Sequence, residues 1–408
     1  MSPDPDTNAG TDLSRTGAGI GTVTGPRHVP ALEAVPPGLV TLADHAAHAR
    51  TRLDAVAWAY FDGGAADEHT VHANRGAWDG LRLVPRMLRP LSGGHAGTTL
   101  FGRALALPVL LAPVAYQRMA HPDGELASAW AAAAQGAGMV LSTLSSTRLE
   151  DVAAAVRHDP DRGPLWSQLY LQHDRGVTRA LVQRAEAAGY EALVLTIDAP
   201  VSGARDRERR AGFRLPAGVF AANLTDLPPR APATRAAGRS ALFDDLLRDA
   251  PTWDDVAWLR AQTRLPLLLK GVLHPDDARQ AAALGADGLI VSNHGGRTLD
   301  TAVATARALP RIVDAVGDRL PVLVDGGIRR GTDVLKAIAL GARAVLLGRP
   351  YVYGLANAGA AGVAHVLRLL RDEFEIAMAL CGCAHVDAID PALLDTDPPF
   401  PNGPRTAP

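Results

Sequence analysis

From Leu107 onward, short apolar runs alternate with Ala-rich segments whose apolar residues recur at helical spacing. The runs predict eight strands, at 109–112, 139–142, 165–170, 192–198, 266–270, 288–292, 321–325 and 343–348. Helical stretches fall between them, among them 124–137, 175–188, 275–284 and 332–340. Strand–helix alternation builds a parallel sheet with crossover helices. Eight such units in about 250 residues fit an α/β fold closed as a (β/α)8 TIM barrel. A doubly wound open sheet is the alternative, disfavoured because no G-x-G-x-x-G follows any strand.

Upstream the pattern changes. Residues 1–35 are rich in Gly, Pro, Thr and Asp and carry no apolar period, so a disordered leader is expected. One helix is predicted over 42–60, with Leu42, His45, Ala49, Leu53 and Val56 at helical spacing and Gly63-Gly64 ending it. A single domain is expected over 36–395, followed by a tail at 396–408. One connection breaks the rhythm. About fifty residues part Asp198 from the helix predicted at 252–262, including the charged run 205–210 and the Pro/Ala/Arg-rich 227–239. A loop that long commonly forms a lid, and 202–251 is the expected carrier of specificity. It holds no continuous hydrophobic patch of the kind a membrane anchor needs.

In a barrel, chemistry sits at the C-terminal ends of the strands. Those ends read Pro113-Val114-Ala115-Tyr116, Ser142-Thr143, Gln168 and Tyr170, Thr196 and Asp198, Lys270, Ser292 and His294, Asp325-Gly326-Gly327-Ile328-Arg329, and Gly348-Arg349. Any one could be an ordinary hydrogen-bonded polar group. All eight being polar, charged or glycine-bearing points to a ligand-filled mouth. Gly326-Gly327 and Gly348-Arg349 offer backbone donors and charge after strands seven and eight, where this fold commonly binds phosphate. Gln168, Thr196 and Ser292 can bond ring heteroatoms. Lys270 can stabilise a cofactor that becomes anionic on reduction. The sixth end, Ser292-Asn293-His294-Gly295-Gly296-Arg297, pairs a proton acceptor with a cation able to grip a carboxylate.

Composition narrows the class. A chain of 408 residues at 47% hydrophobic content can bury a large core. A net charge of −2 gives no sign of a nucleic-acid binder. No run approaches the ~18 apolar residues of a membrane span, and no signal peptide is evident, so a cytoplasmic protein is expected. Cys381 and Cys383 are the only cysteines, which excludes a disulfide framework and suits buried thiols in a reducing compartment. No metal site is expected. Lys270 and Lys336 are the only lysines, in a chain that supplies its positive charge as arginine.

With those motifs in hand, the chain resembles the FMN-dependent 2-hydroxy-acid oxidase and dehydrogenase family, which includes glycolate oxidase, lactate oxidase and mandelate dehydrogenase. The likeness runs from about Tyr60 to His385. It rests on Tyr60-Phe61 before a Gly pair, Met119-Ala120-His121-Pro122, Gln168-Leu169-Tyr170, Leu195-Thr196-Ile197-Asp198, Leu269-Lys270-Gly271-Val272, the His294 motif, Val324 to Asp333, and Gly348-Arg349-Pro350. The resemblance implies His294 as the base. Asp198 is implied to pair with it and raise its pKa through opposite charge. Arg297 and Arg205 are implied to hold the substrate carboxylate with Tyr60, and Tyr170 the hydroxyl oxygen. FMN is implied as cofactor, held by Pro113, Val114, Ala115, Ser142, Gln168, Thr196, Lys270, Ser292, Asp325, Gly326, Gly327, Arg329, Gly348 and Arg349.

The implied reaction is oxidation of an L-2-hydroxy acid to the 2-oxo acid, with O2 as acceptor and H2O2 as product. A homotetramer is also implied. The alternatives are the same chemistry with another electron acceptor, a non-oxidative FMN isomerase, and a flavin-binding protein without catalysis. The chain departs from the pattern at Thr298, where the family usually has Gln, and at Leu144, where glycolate oxidase has Trp. The Pro113-Val114-Ala115-Tyr116 run is similar to that of hydroxymandelate oxidases. Exchanging Trp for Leu opens the pocket, so a bulky, mandelate-like acid is expected.

Overall fold

A computed structural model describes residues 32–228, 240, 242, 243, 247 and 250–395. The tail and most of the leader lie outside these residues. Of the leader, Glu33 is tied to the body, its carboxylate 2.8 Å from Nε2 of His121.

Among the described residues three helices precede the barrel: α1 (Leu42–Arg52), α2 (Ala55–Asp62) and α3 (His69–Gly80). The single helix expected over 42–60 is therefore two. Leu53 is extended (φ −82°, ψ 139°), and the Asp54 side chain accepts from Ala57 N at 2.7 Å, capping a new helix. A short acidic side chain that satisfies an orphan amide outweighs the continuity of the apolar stripe.

A hairpin follows, β1 (Thr98–Leu100) and β2 (Arg103–Leu105). The barrel strands are β3 (Val109–Leu111), β4 (Gly138–Leu141), β5 (Leu165–Leu169), β6 (Leu193–Thr196), β7 (Leu267–Val272), β8 (Gly288–Val291), β9 (Val322–Val324) and β10 (Ala344–Leu347). All neighbours are parallel, and β10 pairs with β3 at Val345↔Val109, so the sheet is closed and the open-sheet alternative falls. Helices α4 (Gly124–Ala134), α5 (Leu149–Val156), α6 (Arg175–Ala188), α7 (Asp206–Arg210), α8 (Trp253–Arg260), α9 (Pro275–Ala283), α10 (Thr305–Val316), α11 (Gly331–Ala339) and α12 (Arg349–Leu380) complete the chain. The last is kinked at Ala358–Gly359, and α1 and α4 both pack along it.

Two apolar layers follow from the period-two alternation of strand side chains. Leu110, Val140, Trp166, Val194, Leu268, Ile290, Leu323 and Leu346 point into the barrel and fill it. The β1–β2 hairpin closes its lower end, with Phe101 edge-on to Trp166 at 5.7 Å. Val109, Leu111, Leu193, Leu195, Leu267 and Leu269 point outward and pack with the helices. Cys381 and Cys383 are buried free thiols.

Candidate active site at the barrel mouth

The same alternation builds the site. Two residues beyond an interior apolar side chain, the next inward-facing position lies one layer higher, at the mouth. Val140 leads to Ser142, Trp166 to Gln168 and Tyr170, Val194 to Thr196 and Asp198, Leu268 to Lys270, Ile290 to Ser292 and His294, and Leu323 to Asp325. Above the packed core lies a cavity of about 640 Å³. Every residue expected at the site lines it except Asp198 and Ser292, which lie behind His294 and Lys270.

His294 sits in the left-handed region (φ 56°), its amide donating to Ser292 Oγ at 3.0 Å. A non-glycine residue there is held by its surroundings, a pattern that concentrates at functional sites. Its Nδ1 is 2.9 Å from Asp198 Oδ1. A carboxylate only accepts, so Nδ1 carries the proton and Nε2 keeps the lone pair of the neutral ring. Burial pushes the Asp198 carboxyl up, but Lys270 and His294 together bring it below the usual range, so it stays ionised.

The expectation that Asp198 raises the imidazole pKa is only half met. Asp198 does pull it up, yet burial and the nearby Lys270 ammonium outweigh that pull, and the net shift is downward. The balance favours the neutral ring, and Asp198 is placed where it could stabilise an imidazolium.

Lys270 is 4% exposed and bridges Asp325 Oδ2 at 3.1 Å and Ser292 Oγ at 2.8 Å. Burial works against its charge, but Asp325 and Asp198 prevail and raise its pKa. Gln168 donates to Thr196 Oγ1 at 3.0 Å. Oδ1 of Asp325 is buried without a hydrogen-bond partner among the described residues.

The glycine turn beyond β9 is packed from behind by α3. Gly326 and Gly327 have φ of 88° and 85°, and a Cβ at Gly327 would lie 2.7 Å from Asn74 O. Trp78 Nε1 donates to Gly326 O at 2.8 Å, and Arg75 donates to Gly327 O at 2.6 Å and to Asp333. Asn74 and Asn293 exchange amide hydrogen bonds at 2.9 and 2.8 Å. This buttress escaped the sequence reading, because Asn74, Arg75 and Trp78 come from a helix far upstream of the barrel.

Four guanidiniums, of Arg205, Arg297, Arg329 and Arg349, face the cavity with different partners. Arg329 donates to Ile328 O, and burial together with Arg349 and Arg75 lowers its pKa against the opposing pull of Tyr353 and Asp62. Arg349, expected at the phosphate, donates instead to Asp62 O, Gly63 O and Gly295 O at 2.8–3.0 Å and straps α2 to the loop after β8. Arg297 donates to Tyr60 O and Gly63 O and lies over the Tyr60 ring at 5.0 Å. Burial and the neighbouring Arg205 lower the Arg297 pKa to about 10. Two partly buried guanidiniums at close quarters make a site suited to a carboxylate.

The long segment after β6 contributes more than sequence showed. Besides Arg205 it brings Val201, Glu208 and Phe213 to the cavity, and Phe213 stacks on Tyr60 at 4.9 Å. The Arg205-x-x-Glu208 spacing within the charged run was the available signal for Glu208. Tyr116 and Leu144 face the same space. The Tyr60 and Tyr170 phenols are raised in pKa, chiefly by burial, and so remain donors.

The donor set fits FMN: backbone and Arg329 for a phosphate, Gln168, Thr196 and Lys270 for a ring with acceptor atoms, and an Asp325 oxygen unpartnered among the described residues for a hydroxyl donor. Among the described residues no cluster able to hold a metal occurs, and no helix is long and apolar enough to cross a membrane.

Comparison with known proteins agrees. The family model described as FMN-dependent dehydrogenase matches residues 49–396. An L-lactate oxidase of Nostoc sp. is 50% identical over 87% of this chain and 98% of its own length. Human 2-hydroxyacid oxidase 1 is 41% identical over 89% of this chain and 98% of its own. A mandelate oxidase structure with benzoyl-formic acid superposes with a TM-score of 0.78 at 46% identity, over 87% of this chain and 98% of that one. The chain belongs to the FMN-dependent dehydrogenase family.

Proposed function

We propose that this protein oxidises an L-2-hydroxy acid to the 2-oxo acid with FMN, passing the electrons to O2 and forming H2O2. The observation that carries the reading is the His294–Asp198 pair, 2.9 Å apart, beside the two partly buried guanidiniums of Arg297 and Arg205. Arg297 and Arg205 grip the substrate carboxylate, with Tyr60 donating to it. That contact would orient the α-carbon towards His294. Tyr170 donates to the hydroxyl oxygen. His294 Nε2 takes the proton released as the α-carbon is oxidised, whether it leaves the hydroxyl or the carbon, and Asp198 stabilises the resulting imidazolium. Bound FMN supplies the two-electron acceptor. Lys270 is held as a cation beside Asp325 and Ser292, where it offsets negative charge gained on reduction.

The side-chain end of the pocket is apolar, with Tyr116, Leu144, Val201 and Phe213. It suits an uncharged substituent, and Leu144 leaves room for an aromatic one. Relatives named for lactate and for mandelate bracket this range. A cytoplasmic homotetramer completes the reading, to be checked by sedimentation. The test is anaerobic mixing with glycolate, L-lactate, both mandelates and 4-hydroxymandelate, followed by air. Bleaching of the flavin by one acid, with recovery and peroxide in air, is expected. Slow recovery in air would favour another electron acceptor. A yellow protein that none of the acids bleaches would refute the reading for this panel.

A further inference from the structure

The proposed reaction makes no use of one partly buried carboxylate in the cavity. Glu208 Oε1 lies 3.1 Å from Arg297 Nη2 and 3.3 Å from Arg205 Nη1, with the side chain 12% exposed. It is not a stray lid residue. The next-door Arg207 binds Asp62 at 2.8 Å and Glu68 at 3.3 Å, and so docks α7 against the end of α2. Nor does Arg297 need Glu208 for its position, since its Nη1 is tied to Tyr60 O and Gly63 O.

What Glu208 changes is charge. Burial and Arg205 destabilise the Arg297 cation, and Glu208 works in the opposite direction. Oxidation at the α-carbon leaves the carboxylate untouched. The product would therefore be held by the same two guanidiniums as the substrate, and binding both equally well slows release without aiding chemistry. We propose that Glu208 is a resident counter-ion that competes with bound carboxylate for Arg205 and Arg297, and so sets how fast the 2-oxo acid leaves. This role rests on the 2-hydroxy-acid reading above.

Glu208→Gln keeps the shape and an acceptor oxygen but removes the charge. In the FMN-loaded enzyme, the dissociation constant of the 2-oxo acid matching the best substrate is read from the flavin absorbance. It is expected to fall at least tenfold, with KM and kcat in air falling together. Glu208→Asp, which restores the charge, is expected to return the dissociation constant towards that of the wild type. A merely structural role would loosen oxo-acid binding instead. Unchanged or weaker binding in Glu208→Gln, or an Asp variant that behaves like the Gln variant, would overturn the role while a bleachable wild type upholds the reaction. A wild type bleached by no 2-hydroxy acid would overturn both.

Discussion

Gly271 interrupts β7 with a φ of +111°, at the point where the register with β8 shifts between Lys270 and Val272. A Cβ at this position would lie 2.4 Å from the Asp198 Cβ and 2.6 Å from its Cγ. Gly271→Ala must therefore push Asp198 off the imidazole it orients. A hydrogen bond to a charged group is worth about 1.5–3 kcal/mol. Lost from the transition state, that is roughly a 10- to 150-fold slower reduction. The unfavourable backbone adds about 1–3 kcal/mol of lost stability, visible as a lower Tm. The assay is anaerobic stopped-flow bleaching of the flavin at saturating substrate, with Asp198→Ala and the double variant run alongside. If Gly271 acts through Asp198, the double variant is no slower than Asp198→Ala alone. Wild-type reduction in Gly271→Ala, or losses that multiply in the double variant, would refute the reasoning.

Four further outcomes are expected. His294 must be neutral to accept a proton, and burial with Lys270 holds its pKa below the usual 6.5, so the acid limb of kcat/KM falls below that pH. Lys270→Met removes a cation that depresses it and shifts the limb upward; a wild-type limb above 6.5 contradicts this. Gly327→Ala drives a Cβ to within 2.7 Å of Asn74 O, and should weaken FMN binding at least tenfold by fluorescence titration while circular dichroism stays unchanged. His45 is fully buried, with Nε2 2.9 Å from His365 Nδ1, and burial lowers its pKa to about 4. Between pH 6.5 and 4 the unfolded chain binds the proton that the folded one refuses, so stability falls as pH drops, by up to about 3 kcal/mol. His45→Gln should flatten the pH dependence of the urea midpoint across that window. Leu144→Trp fills the side-chain end of the cavity and should lower kcat/KM for mandelate at least tenfold relative to glycolate.

Strand periodicity made the mouth legible, because barrel geometry converts position along a strand into height in the barrel. Gln168, Thr196, Lys270 and Asp325 each follow an inward apolar residue by two, and that offset is visible in one dimension. What escaped reading depends on contacts across the chain. The break at Leu53–Asp54 turns on one cap against a continuous stripe. The buttress of Asn74, Arg75 and Trp78 serves a turn some 250 residues later. The β1–β2 hairpin was missed because three-residue strands leave too few positions for a period to show. The sign of the His294 shift could not be read from the pairing with Asp198 alone, since it depends on how deeply the ring is buried and on Lys270 arriving from another strand.

The strap made by Arg349 has a consequence for biosynthesis. Its donation to Asp62 O joins positions 287 residues apart. At a translation rate of about 5–20 residues per second, α2 leaves the ribosome roughly 15–60 s before that partner exists. Eight residues cannot hold a helix alone in water. Throughout that interval Ala57, Ala59, Tyr60 and Phe61, all buried in the finished protein, are presented to the cell as an apolar segment without a home.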